Sequence, residues 1–471
     1  MTQKEMIHAY LEEHRGELVK DIETLVRIDS ARAQAQEGKP YGEGAAAALA
    51  AGMEIFEKYG FTGNNCDNYA IDTRMNGREL GLDILAHLDV VPGGDGWTKT
   101  TPFEPVTEDG VMYGRGTSDD KGPAMAALYA MRAVRDLGFS LEKDVRLILG
   151  SDEECGSSDI AYYFRKNAHA PMTISPDADF PLVFLEKGSL HTTFTAQLVP
   201  EEGLPRVRSV EAGIKVNVVP AKADAVVEGM SAEMLTAYAQ KTAEKTGIRF
   251  TVSGQEDGSL KLHAEGVSAH AAGPMDGNNA LTGLLSLLAE LPLAQSKTAG
   301  LLRSVAQLFP HGDYYGAGLG VDLEDAISGK TTLTLDLFRL TPTQMSGTFD
   351  CRACSSATEE NTRQVVENRL AGAGFRTDGC PLNPPHYVPK DSRLVQTLLE
   401  TYTEVTGEER EPLAIGGGTY VHHIENGVAC GCADPAVDNH MHGPDEFVII
   451  DQLIMSAEIF ALAILKLCAE K

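Results

Sequence analysis

Five short acidic or histidine-bearing segments, far apart in the chain, hold the parts of a two-metal hydrolytic site: His87-Leu88-Asp89, Ser118-Asp119-Asp120-Lys121, Asp152-Glu153-Glu154, Pro176-Asp177 and His442-Gly443-Pro444-Asp445-Glu446. A pair of divalent cations about 3.5–4 Å apart needs a bridging carboxylate, further N and O ligands on each ion, and a base beside the attacking water. These segments contain each of those groups. Imidazole suits zinc or manganese, while ionised carboxylates both ligate cations and offset their charge. Taken singly, each segment has a plainer reading: Asp119-Asp120 as an anion cluster at a helix start, Glu153-Glu154 as a charged turn, His87 as a strand-end histidine. Convergence of all of them without a counter-ion would be destabilising, so they are read as one set.

The surrounding sequence predicts elements able to gather them. Leu80, Leu82 and Ile84 alternate into an apolar run, which predicts a strand buried on both faces and ending at His87. In an extended chain His87 and Asp89 point to the same side. Gly114-Arg115-Gly116 leads through Asp119 and Asp120 to Pro123, whose position suits the first turn of a helix over residues 124–134. A second buried strand over residues 145–149 delivers Glu153 and Glu154 just beyond its end, and Asp177 follows a short strand near Thr173-Ile174. Open α/β sheets bind ligands outside the carboxyl ends of their strands, so these segments are expected along one edge. Upstream, Ile7, Tyr10, Leu11, Leu18, Ile22, Leu25 and Val26 recur at helical spacing, and an alanine-rich helix covers residues 44–59.

After Lys187-Gly188 the texture changes to amphipathic strands near residues 248–252 and 260–263, with helices near 232–245 and 280–291. Alternation of the first kind returns over residues 394–405, 413–415, 428–432 and 451–467. The chain is therefore expected to be α/β, with residues 1–187 and 382–471 forming a catalytic, metal-binding domain and residues 188–381 an inserted α+β domain.

A length of 471 residues exceeds one ordinary core, and 43% hydrophobic with 23% charged residues describes a soluble globular chain. The net charge of -28, with a pI near 4.8, would repel phosphate backbones and anionic lipid surfaces, so neither nucleic acid nor membrane is an expected partner. Lys4, Glu5, His8, Glu12 and Glu13 stand where an export signal needs an unbroken apolar core. The most apolar later stretch, residues 459–467, is broken by Lys466 and too short to span a bilayer. Eight cysteines without regular spacing are expected as reduced thiols in a cytoplasm, and Cys351-x-x-Cys354 has neither a second pair nor a thioredoxin-like context. Gly416-Gly417-Gly418-Thr419 lacks the G-K-[ST] of a phosphate loop; it reads as a tight turn, or as a row of backbone N–H groups facing a carboxylate.

In this order the motifs resemble the M20 dinuclear metallopeptidases, most closely their PepV-type dipeptidase branch. The resemblance covers nearly the whole chain and rests on His87-Leu88-Asp89-Val90-Val91-Pro92, on Gly114-Arg115-Gly116-Thr117-Ser118-Asp119-Asp120-Lys121-Gly122, on Ser151-Asp152-Glu153-Glu154 and on Glu265-Gly266-Val267-Ser268-Ala269-His270-Ala271. It implies a mixed-sheet, zinc-peptidase-like catalytic domain, with the inserted domain acting as a lid. It implies two divalent metal ions per chain, zinc first, with manganese or cobalt as alternatives. Asp119 would bridge the ions, His87 and Asp177 would complete one site, and Glu154 with His442 the other. Family spacing, four residues before Glu446, selects His442; the neighbouring His440 is the alternative. Glu153 would be the general base, taking a proton from the attacking water and returning one to the departing amine. Asp89 would orient His87 through its other ring nitrogen, and the Asp119–Asp120 peptide would be cis.

The same resemblance implies that His270 steadies the tetrahedral oxyanion and that Asn217 and Arg352 contact substrate. Arg352 could grip a terminal carboxylate through two parallel hydrogen bonds, joined by Gly417, Gly418 and Thr419. The plainer readings are a loop histidine for His270 and a surface ion pair for Arg352. His422 and His423 are expected on a helix after the glycine run. The implied activity is metal-dependent hydrolysis of dipeptides by a cytoplasmic monomer, whose enlarged lid supplies what dimeric relatives borrow from a partner subunit. An N-acyl-amino-acid amidohydrolase or a carboxypeptidase on the same scaffold is the neighbouring reading. An inactive metal-binding protein is a third, against which the presence of Glu153 argues.

Overall fold

The computed structural model describes residues 1–469. The chain divides into two units, one made of Met1–Leu185 and the chain from Tyr387 onward, the other of Glu186–His386, so the second is inserted into the first.

The first unit is organised by a sheet whose strands run in the order Gly63–Cys66, Ala70–Arg74, Asp144–Gly150, Leu80–His87, Thr173–Ser175, Gly427–Ala429 and Val183–Glu186, with Leu413–Ile415 beside the last. Asp144–Gly150, Leu80–His87, Thr173–Ser175 and Gly427–Ala429 are mutually parallel, whereas the Ala70–Arg74 side is antiparallel. This makes a mixed sheet with a parallel centre, and it explains the unbroken apolar runs: every residue of Asp144–Gly150 is buried, as is every residue of Leu80–His87 beyond Leu80. His87 lies opposite Gly150 in register, so chain leaving either strand emerges at the same edge.

Two helices, Lys121–Asp136 and Ile450–Cys468, pack against each other and against the two central strands. Ala124, Ala126, Ala127, Ala130 and Ala133 on the first, with Ala457, Ala461 and Ala463 on the second, are fully buried. Small side chains at these positions let the helix backbones approach closely. The N-terminal periodicity becomes two helices, Gln3–Glu13 and Arg15–Val26, interrupted at His14, whose backbone leaves the helical region.

The inserted unit is an antiparallel sheet ordered Arg249–Gly254, Leu260–Glu265, Lys222–Glu228, Arg206–Ala212, Thr332–Leu340, Gln344–Ala353, Gly188–Gln197 and Arg376–Thr377. The strand Leu260–Glu265 alternates, with Leu260, Leu262 and Ala264 facing a separate core shared with the helices Ala280–Glu290 and Lys297–Leu308. The eight cysteines are all thiols, seven of them buried, with Cys155 exposed. Among the described residues no helix is long and apolar enough to cross a membrane.

Candidate functional site

The carboxyl edge of the parallel strands carries the candidate residues. His87 is the last residue of its strand. Its ring nitrogen Nδ1 lies 3.0 Å from the main-chain oxygen of Asp89. A carbonyl only accepts, so in the neutral ring Nδ1 carries the proton and Nε2 is left with a lone pair aimed at the site. The Asp89 carboxylate stands farther from that nitrogen, at 3.4 Å, and instead accepts the backbone N–H groups of Glu153 (3.2 Å) and Glu154 (3.1 Å). One residue thus orients His87 through its carbonyl and ties down the turn bearing both glutamates through its side chain.

Asp119 precedes the helix Lys121–Asp136, and its peptide bond to Asp120 is cis. Asp120 is buried and accepts the main-chain N–H of His87 at 3.0 Å. The two Asp119 oxygens diverge: Oδ1 lies 3.0 Å from His87 Nε2 and Oδ2 lies 2.8 Å from His442 Nε2. Asp177 Oδ2 is 3.6 Å from His87 Nε2, and Glu154 Oε1 is 3.3 Å from His442 Nε2. Donor atoms of His87, Asp119 and Asp177 fall within 4.8 Å of one another, and so do those of Asp119, Glu154 and His442. Asp119 belongs to both groups. Glu153 belongs to neither, although it shares the short 3-10 helix Glu153–Cys155 with Glu154. His440, two residues from His442, turns its ring toward Phe447, with centroids 5.9 Å apart.

Burial and mutual repulsion of carboxylates, partly offset by two histidines, set the electrostatics of this cluster. Burial pushes the carboxyl groups of Glu153, Glu154 and Asp177 up from their ordinary values, and the neighbouring Asp119 adds to the shift. Asp119 itself is held low despite burial, by His442 and His87. Burial also opposes a charge on His87, but Asp119, Asp177 and Asp89 outweigh it and raise its pKa well above the usual value. The adjacent carboxylates of Asp119 and Glu154 favour the charged ring of His442 and lift its pKa to about 10.

Divalent cations fit these residues. His87 Nε2 and Glu154 Oε1, one from each donor group, are buried with no well-directed hydrogen bond among the described residues. The donor set is two imidazoles and three carboxylates, without a thiolate, which is the ligand chemistry of zinc, manganese or cobalt.

Further residues brace this edge. Asp159 Oδ2 accepts the backbone N–H of Ser151 at 2.6 Å, that of Asp152 at 3.0 Å and the Tyr420 hydroxyl at 2.5 Å. The Tyr420 ring stands edge-on to His87, with centroids 6.0 Å apart. Gly150 makes the meeting possible, since a Cβ there would lie 2.0 Å from the Tyr420 hydroxyl oxygen and 2.4 Å from Asp159 Oδ2. Reading motifs by sequence missed this brace; the partners of its hydroxyl contact are 261 residues apart.

Thr419 ends the glycine run and caps the short helix Tyr420–His423, accepting the N–H of Val421 at 3.4 Å, while Gly417 and Gly418 precede it after the strand Leu413–Ile415. His422 and His423 fall on that short helix, with ring centroids 5.0 Å apart.

The inserted unit brings Asn217 and His270 together: Val218 bridges to His270, and the Ala271 N–H donates to the Asn217 carbonyl at 2.9 Å. Asn217 has φ +72°, and its own N–H donates to Asp336 at 2.9 Å. Arg352 is held by Asp350 through Nε and Nη2, at 2.7 and 2.8 Å, and is cross-strand neighbour to Thr332, whose hydroxyl donates to the Ala272 carbonyl at 3.3 Å.

Residues 84–466 match the model of peptidase family M20/M25/M40. The chain is 34% identical, over 96% of its length and 97% of the relative's, to YtjP of Bacillus subtilis (strain 168), a provisionally named dipeptidase. It is 31% identical, over 98% of each chain, to the Beta-Ala-Xaa dipeptidase of Lactobacillus delbrueckii subsp. lactis. In fold it is similar to the solved structure of the dipeptidase Dug1p of Saccharomyces cerevisiae, with a TM-score of 0.60 over 99% of each chain at 12% identity.

Proposed function

The chain belongs to peptidase family M20/M25/M40, and from that premise we propose that it is a dipeptidase working with two divalent cations, zinc first, with manganese or cobalt as alternatives. The observation that carries this reading is the divergence of the Asp119 oxygens, one toward His87 and one toward His442, each inside its own three-residue donor group. His87, Asp119 and Asp177 would hold one cation, and Asp119, Glu154 and His442 the other. When bound, such cations supply Lewis acidity, polarising the scissile carbonyl and lowering the pKa of the attacking water.

The remaining work falls to the chain's own groups. Glu153, outside both donor groups but on the same braced turn, takes a proton from the attacking water and passes one to the departing amine. Asp89 keeps Nδ1 of His87 protonated and the glutamate turn fixed. His270 steadies the developing oxyanion, and Asn217 contacts the substrate. Arg352, oriented by Asp350 through Nε and Nη2, is a substrate-carboxylate contact in this reading, and Gly417, Gly418 and Thr419 are further substrate-binding candidates. Two relatives that align over nearly their full length carry dipeptidase names, which supports a free dipeptide as substrate. The reading extends to a monomer, and to the cytoplasm, where eight free thiols would stay reduced.

Metal-reconstituted protein assayed against L,L-dipeptides, β-alanyl dipeptides, N-acetyl amino acids and tripeptides tests this. Free dipeptides should be cleaved best, and only with metal present. Preference for N-acetyl substrates would replace the reading with an amidohydrolase, equal rates on longer peptides would remove the carboxylate grip, and no metal-dependent turnover would leave a binding protein.

A further inference from the structure

The Asp119 turn and the His442 loop meet at a buried ion pair that the chemistry above does not use. Arg115 Nη1 lies 2.6 Å from Glu446 Oε2, and both side chains are at most 2% exposed. The other Glu446 oxygen accepts three backbone N–H groups in succession, those of Gly116 and Ser118 at 3.0 Å and that of Asp119 at 3.3 Å. The Glu446 carbonyl accepts a further one from Gly114 at 2.9 Å. Arg115 reaches the opposite way: its Nη2 donates to the carbonyl of Gly443, the residue after His442, at 3.1 Å. The His442 loop needs such outside support, because His442 and Asp445 stand at φ +64° and +57°, a region that side chains disfavour. Asp445 adds an anchor on the Thr98 and Lys99 N–H groups, both at 2.8 Å.

We propose that the Arg115–Glu446 pair is a positioning device for one half of the metal site. By fixing Asp119 and His442 against each other, it governs the cation held by Asp119, Glu154 and His442, and much less the one held by His87, Asp119 and Asp177. This rests on the metal reading above. Both cations share Asp119, but the first alone depends on the distance from the Asp119 turn to the His442 loop, which is the distance the ion pair spans. His87 and Asp177 are placed by the parallel strands, independently of it.

The test is titration of metal-free protein with cobalt(II) or zinc by calorimetry and chelator competition. Wild type should take up two cations. Glu446→Gln keeps an oxygen for the N–H groups but sets an amide against the guanidinium; it should weaken one cation by about 10–100-fold and leave the other within a few-fold. Its profile should match His442→Ala and differ from Asp177→Ala. Arg115→Lys, which keeps the charge but shortens the reach to Gly443, should weaken the same cation by a smaller factor, and it decides the matter if Glu446→Gln does not fold. Equal weakening of both cations, or of neither, overturns the proposal. Wild type that binds no divalent cation overturns the metal reading itself, and this inference falls with it.

Discussion

Adjacent glutamates with different jobs are the sharpest feature at the scale of single residues. Glu153 and Glu154 share one turn and have successive N–H groups bound to the same carboxylate of Asp89, yet only Glu154 comes within 3.3 Å of His442. The reading above therefore separates them by experiment. Glu153→Gln should lower kcat by roughly 10²–10⁴-fold, the usual contribution of a general base, while metal content stays at the wild-type level. Glu154→Gln should lose metal as well as activity. Kinetics paired with metal analysis checks both, and a Glu153→Gln protein that turns over within a few-fold of wild type would strip that residue of its role.

Among the elements, the site's floor was legible from sequence because its signals are local. Apolar runs ending in His87, or followed by Glu153-Glu154 and by Asp177, mark buried parallel strands with the candidate site residues at their carboxyl ends, and the structure gathers those ends. What escaped depends on pairing across long separations: Arg115 meets Glu446 across 331 residues, and nothing in the local pattern of either announces the other. Between His440 and His442, family spacing favoured His442, and it is the His442 ring that lies in a donor group, although both residues have positive φ. In the inserted unit, the strand Thr332–Leu340 shifts register between Leu335 and Leu337, leaving Asp336 fully buried at the irregularity. Burial raises the Asp336 carboxyl to about 8 despite the N–H of Asn217. An unfolded chain releases this proton near pH 4 while the folded one keeps it to about pH 8, so burial of this group costs stability progressively as pH rises through that window. Asp336→Asn lacks the titration, so the stability of the variant relative to wild type should climb from pH 4 to 8. Urea melts across that range check it, and a flat difference would mean that the carboxyl is not buried as described.

At the scale of the whole molecule, two separate hydrophobic cores meet a strongly uneven charge distribution. Each unit has its own buried cluster, but the repelling carboxylates of the candidate metal site all belong to the unit built from both chain ends. A chain at net charge -28 carries general self-repulsion, which salt screens. The repulsion within the site is different, because it is buried beyond the reach of salt, and a cation bound there would relieve it. A ligand that binds only the folded state adds about 2.7 kcal/mol at a concentration 100 times its dissociation constant. That gain must appear where the ligands are. Chelation should therefore speed amide exchange at the ends of Leu80–His87 and Asp144–Gly150 and through the Gly114–Asp119 turn, while Leu260–Glu265 and Thr332–Leu340 in the inserted unit keep their protection. Readdition of zinc, manganese or cobalt should reverse the change, and sodium chloride at matched ionic strength should not. Uniform loss of protection in both units would make the metal a global stabiliser, and no change in either would mean that these carboxylates tolerate one another without a cation.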